Sequence, residues 1–275
     1  MSRPHDDADL RLLETIYDAL DAGEPARALS LIQAALDQEE LDDPVLHFLA
    51  GVALRELDRP EQAVRQLRRA VELDPDDAEF RANLAFALFS ACRFGQAEAE
   101  ARRAIESDEA LPDAHCALAL VLERGPSTRP SAEVAFRRAA ELDPDAYPAP
   151  RRLSTDAFAD QLRLASELLP ERFRRLLDEV VVTVEDLPSD EILRSESVPL
   201  DPELFGLFVG VPLTERTSFS PGGELPPRVL VFQRNLERFF PEEEQLVEEI
   251  ARTLYHELGH YLGMDEDELE AIGLD

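Results

Sequence analysis

The chain has 275 residues, with 28 basic residues, all arginine, against 59 acidic ones, and a formal charge of −31. That balance excludes nucleic-acid binding through phosphates, which needs a basic face, and argues against an anionic membrane surface as partner. Hydrophobic residues make up 44%, enough for a packed core rather than gross disorder, and the length suits about two domains.

No apolar stretch follows the opening Met-Ser-Arg-Pro-His-Asp-Asp, so no signal peptide is expected. No uncharged apolar run is long enough to span a bilayer. Two cysteines, Cys92 and Cys116, are too few for a disulfide framework or a cysteine zinc site and read as small buried thiols. A cytoplasmic protein is expected.

The first half repeats itself. Arg69-Ala-Val-Glu-Leu-Asp-Pro75 is followed 34 residues on by Arg103-Ala-Ile-Glu-Ser-Asp108, and 35 further by Arg138-Ala-Ala-Glu-Leu-Asp-Pro144. Small residues recur at Ala28, Ala63, Ala97 and Ala132, and seven positions later at Ala35, Ala70, Ala104 and Ala139. Such residues let two helices of a hairpin approach closely, and Gly51 stands where the first helix of its unit needs the same. Period and small positions resemble the tetratricopeptide repeat. Leucine or alanine replaces most of that family's aromatic positions, and Glu109 stands at its late proline. Four helix-turn-helix units are predicted, near 9–42, 44–77, 78–111 and 112–146. His47 and His115 occupy equivalent places early in first helices and are either groove contacts or half-buried packing residues. Arginines such as Arg65, Arg68, Arg69, Arg102, Arg103, Arg137 and Arg138 lie on second helices beside acidic residues and read as solvated, paired faces. Arrays of this kind bind a peptide or a protein partner in a concave face.

Pro148 and Pro150 end the array, because a residue before proline is biased away from helix. A helix is predicted over about 154–178, then a strand at Val180–Val184 and an acid- and proline-rich loop from Glu185 to about Pro202. The apolar run 204–211 is strand or turn. Pro221-Gly222-Gly223 and Pro226-Pro227 mark turns, 228–233 reads as a strand, and 241–262 as a long helix. The mixture suggests a small α+β domain.

The last helix carries His256-Glu-Leu-Gly-His260, an H-E-x-x-H motif. Histidines at i and i+4 share one helical face, about 5–6 Å apart at Cβ, which suits two imidazoles on one tetrahedral zinc. Zinc lowers the pKa of its water toward ~7, so a carboxylate beside it can take the proton; Glu257 is the predicted general base. Leu246, Ile250, Leu254 and Leu258 make an apolar stripe, and the two histidines lie away from it. Catalytic zinc needs a third protein ligand. Fifteen residues follow His260, so that ligand is expected locally. Gly263 can end the helix in a left-handed conformation and turn the chain back, which brings Glu266 into play, with Asp265 as its rival. Asp267 and Glu268 are expected to cap a terminal turn.

Residues from about 155 to 275 resemble the minimal zincin-like metallopeptidase family of bacteria. The likeness rests on Val182–Pro188, Leu207–Arg216, Leu225–Arg234 and His256–Leu269. In that family the third-ligand position commonly holds aspartate; Glu266 keeps the carboxylate and lengthens it. The resemblance implies a zincin-like fold and peptidase activity. Arg216, Tyr255 and Tyr261 are candidates for an oxyanion stabiliser, and strand 228–233 is a candidate to pair with an extended substrate.

The fold class is therefore mainly α: a tetratricopeptide-like solenoid at 1–147, then a small α+β zincin-like domain at 148–275. The expected function is a zinc-dependent metallopeptidase that hydrolyses peptide bonds through zinc-activated water, with Glu257 as general base. Zn²⁺ is held by His256, His260 and Glu266, and the repeats recruit a peptide or protein substrate or partner. The alternative is a non-catalytic scaffold or adaptor with a structural or regulatory metal domain, in which Asp265 joins Glu266 in a closed site. A metal-free pseudo-enzyme is a third reading.

Overall fold

The structure, a computed structural model, describes residues 7–39, 42–195, 199–215 and 226–271. It divides into two compact units, Met1–Tyr147 and Pro148–Asp275.

The first unit consists of helical hairpins: α1 (Asp7–Asp21) with α2 (Pro25–Glu39), α3 (Pro44–Glu56) with α4 (Pro60–Leu73), α5 (Ala78–Ser90) with α6 (Phe94–Ser107), and α7 (Pro112–Glu123) with α8 (Arg129–Leu142). Proline opens several of these helices, where its missing N–H costs nothing. Asp43 and Asp77 cap α3 and α5 by accepting from first-turn amides. The sequence period is also visible in the backbone. Gly23, Asp58 and Cys92 occupy equivalent hairpin turns, and all three have positive φ, at 69°, 51° and 55°. Cys92 is therefore a turn residue as well as a buried thiol.

Ala28, Ala63, Ala97 and Ala132 are fully buried between helices, as are Ala70 and Ala104, while Ala35 is only half-buried. A Cβ on Gly51 would run into the Leu67 side chain, itself fully buried. Gly51→Val is accordingly expected to lower unfolding free energy by roughly 1–3 kcal/mol, the usual cost of overpacking a filled core, as read from the urea midpoint. An unchanged midpoint would mean that α3 and α4 can separate freely.

On the arginine face Arg102 pairs with Glu98, Arg103 with Glu100 and Arg69 with Glu72, whereas Arg65 donates to the Glu61 carbonyl and Arg68 to Gln96 of α6. His47 is half-buried and bridges Gln66 at 2.7 Å and Asp42 at 2.8 Å, tying α3 to α4. His115 bonds the Glu109 carbonyl.

The second unit holds α9 (Thr155–Leu168), α10 (Glu171–Arg174), β1 (Val181–Glu185), α11 (Asp190–Leu193), β2 (Gly206–Val209), β3 (Arg228–Phe232), α12 (Gln233–Phe239), α13 (Glu243–Leu262) and α14 (Glu266–Glu270). The single helix predicted over 154–178 is interrupted. Leu169 precedes Pro170 and is extended at ψ 143°, so α9 stops and a short α10 and a 3₁₀ turn follow. The predicted turn at 221–223 lies outside the described residues.

The sheet order is β1-β3-β2. β1 runs parallel to β3, from Val181 opposite Arg228 to Glu185 opposite Phe232. β2 runs antiparallel, from Gly206 opposite Val231 to Val209 opposite Arg228. The strand expected to accept substrate, β3, is thus central, with both edges already paired, and it is corrected on that ground. Helix α13 packs against α9, β2 and β3. Its stripe of Leu246, Ile250, Leu254 and Leu258 joins Phe158, Phe173, Val229 and Val231 in one core. This core fixes how α13 is rotated, and so which of its side chains face outward.

No helix of the described residues is long and apolar enough to cross a membrane.

Candidate metal centre

Helix α13 begins with Glu243 and Glu244, favourable at a positive helix end. It ends at Gly263, which is left-handed at φ 87°, and the Met264 N–H donates back to the Gly259 carbonyl at 3.1 Å. A side chain at Gly263 would also strike Thr214. The chain reverses there and enters α14 through a capping box. The Asp265 carboxylate accepts from the Glu268 N–H at 2.9 Å, and the Glu268 carboxylate accepts from the Asp265 N–H at 3.1 Å. That box separates the two rival carboxylates. Asp265 gives one oxygen to the cap, and the carboxylate of Glu266, one residue on, lies against the two histidines.

His256 Nε2 and His260 Nε2 are 3.0 Å apart. The Glu266 carboxylate lies 3.3 Å from His260 Nε2 and 3.7 Å from His256 Nε2. Among the described residues these three form the group able to hold a metal ion, with all ligand atoms within 4.8 Å of one another. Two donors at ~2.0–2.1 Å from a tetrahedral zinc are about 3.3 Å apart, and the three observed separations bracket that value. His260 Nδ1 is 3.2 Å from the Met264 carbonyl. A proton on Nδ1 satisfies that contact and leaves the Nε2 lone pair directed at the site. The donor set fits zinc in kind and in spacing.

Glu257 lies beside this group, close enough to interact with the charges of His256, His260 and Glu266. It is 7% exposed, and one carboxylate oxygen accepts from the Phe208 N–H at 2.6 Å. Burial pushes its carboxyl up from the ordinary value, against the opposing pull of His256, His260 and the Phe208 N–H. β2 approaches so closely because residue 206 is glycine. A Cβ there would come within 2.5 Å of Thr253 Cγ2 and 3.0 Å of Glu257 Cγ. Gly206→Ala is expected to push Glu257 out of line with the Phe208 amide and to cut any Glu257-dependent rate at least tenfold while zinc content holds. A rate equal to the parent protein would show that the contact is dispensable. A glycine inside an apolar run is the sequence signal for such an approach.

A cleft of about 590 Å³ opens over the site, lined by Leu204, Leu207, His256, Glu257, His260 and Glu266 among others. Neither tyrosine considered as an oxyanion stabiliser lines it. Tyr261 is fully buried and donates to Glu179 at 2.9 Å, and Tyr255 packs edge-on against Phe173. Arg216 lies outside the described residues.

Residues 177–274 match the family model described as zincin-like metallopeptidase, and two tetratricopeptide repeat models match residues 13–78 and 54–121. The chain carries tetratricopeptide repeats followed by a zincin-like metallopeptidase domain. The zincin-like match begins beyond α9, although α9 packs against α13 in the same core. A search of curated proteins finds no match.

Among solved structures, the chain is similar to YrrB, described as a TPR protein with an unusual peptide-binding site. The two share 22% identity over 49% of this chain and 68% of that one, with a TM-score of 0.42. It is also similar to MamA MSR-1, at 21% identity over 51% and 79% with a TM-score of 0.41. A third is MamA from Desulfovibrio magneticus RS-1, at 18% identity over 48% and 74% with a TM-score of 0.43.

Proposed function

We propose that residues 148–275 are a zinc-dependent peptidase domain of a cytoplasmic protein, and that the repeats at 1–147 recruit its peptide or protein substrate or a partner. The observation that carries this reading is the convergence of His256, His260 and Glu266 beside the buried Glu257, all four lining one open cleft. His256, His260 and Glu266 would hold the ion, which when bound supplies Lewis acidity and lowers the pKa of a water toward ~7. Glu257 acts as general base. The Phe208 N–H fixes its carboxylate, and burial raises its affinity for the proton it takes. His260 is oriented through Met264.

Extended substrate would lie along β2. The Phe232 N–H donates to the Phe205 carbonyl, so alternation turns the backbone groups of Gly206 and the Phe208 carbonyl away from β3 and toward the cleft, while the Phe208 N–H on that side is held by Glu257. The scaffold reading with a closed four-ligand site draws less support, since one oxygen of Asp265 is engaged in the α14 cap.

The test is hydrolysis of an unstructured protein by the zinc-loaded chain, stopped by a chelator and restored by zinc. Cleavage that is indifferent to chelator would sink the proposal.

A further inference from the structure

Much of the cleft lining comes from residues outside the H-E-x-x-H motif, and its apolar part is preformed. Leu200, Leu204, Leu207 and Met264 line it, all half-buried. The loop carrying the first two is pinned from behind. Asn235 is fully buried, and its side-chain amide donates to the Pro202 carbonyl at 3.0 Å and the Leu204 carbonyl at 2.8 Å. Arg238 donates to Asn235 at 2.9 Å and to Glu203 at 3.0 Å. The Leu200 N–H is held by the Leu193 carbonyl at 2.9 Å. An apolar surface held this way is preformed, so a side chain placed against it loses little to reorganisation of the site.

The charges are one-sided. Asp201, Glu257, Asp265 and Glu266 line the cleft, and no arginine does among the described residues. A divalent ion offsets two of these four negative charges, leaving an anionic surround that disfavours an anionic ligand.

We propose that this cleft selects unstructured peptides that set a branched apolar side chain against Leu200, Leu204 and Leu207, and that it rejects peptides acidic at that position. The inference rests on the metallopeptidase reading and adds a substrate class to it.

The experiment is calorimetric titration of the zinc-loaded full chain with three probes: acetohydroxamate, a hydroxamate bearing an isobutyl side chain, and one bearing a carboxymethyl side chain. Acetohydroxamate reports the metal alone. The isobutyl probe is expected to bind at least ~10-fold more tightly than acetohydroxamate, since filling an apolar pocket gives discrimination of that order. The carboxymethyl probe is expected to bind no more tightly than acetohydroxamate. Leu204→Ala should remove most of the isobutyl advantage and leave acetohydroxamate binding unchanged, which also shows that the variant is folded. Equal affinity of the isobutyl and carboxymethyl probes, with zinc-dependent acetohydroxamate binding intact, overturns the substrate class and leaves the metal centre standing. No zinc-dependent binding of acetohydroxamate overturns the metallopeptidase reading and this inference with it.

Discussion

Glu257→Gln is expected to keep one zinc per chain and to lose peptide hydrolysis by a factor of roughly 10²–10⁴, the usual contribution of a positioned general base. Glutamine is nearly isosteric with glutamate. Its amide oxygen can still accept from the Phe208 N–H, which lies 2.6 Å from the carboxylate. The ligand atoms of His256, His260 and Glu266 are untouched, so metal binding and fold should both survive. Only the capacity to take a proton disappears. Zinc content and cleavage rate, measured on one preparation, separate the two consequences. Cleavage surviving at the parent rate would remove Glu257 from the chemistry.

The second large effect distinguishes two adjacent carboxylates. Glu266→Ala is expected to weaken zinc binding by more than ~100-fold, because even an outer-shell partner of a ligand is worth about 10–100-fold. Asp265→Ala leaves all three ligand atoms in place and removes a helix cap, so its main cost should be about 0.5–2 kcal/mol of stability. Competition with a zinc-binding dye gives the affinities, and thermal unfolding of the metal-free chains gives the stabilities. If Asp265→Ala proved the worse for zinc, the roles drawn from the α14 capping box would have to be exchanged.

These contrasts show which parts of the molecule were legible in the chain of letters. The hairpins were, because their packing rests on a repeated local requirement: alanines at fixed places and Gly51 against Leu67. The α13 stripe was as well, since a 3.6-residue period alone decides which face is buried. Glu257 follows the first histidine in the motif, but its contact with the Phe208 amide depends on β2 lying over α13, and no periodicity encodes that. The central place of β3 was hidden for the same reason: strand order is a long-range property, and an apolar run reads alike at an edge or in the middle.

Tyr261 is different, because the signal was present. It falls three residues after Leu258 and seven after Leu254, on the apolar stripe, and it is fully buried there. The break at Leu169 was likewise announced by Pro170. Asp265 and Glu266 could be ranked from sequence but not separated, because the capping box needs Glu268 to fold back onto Asp265.

The central claim is that His256, His260 and Glu266 together hold a zinc ion. Elemental analysis of the native chain, purified without chelators, tests it most directly when run beside His256→Ala. One zinc per chain in the parent, lost in the variant, is the predicted result. No metal in the parent after zinc is supplied, or an equal content in the variant, would contradict it.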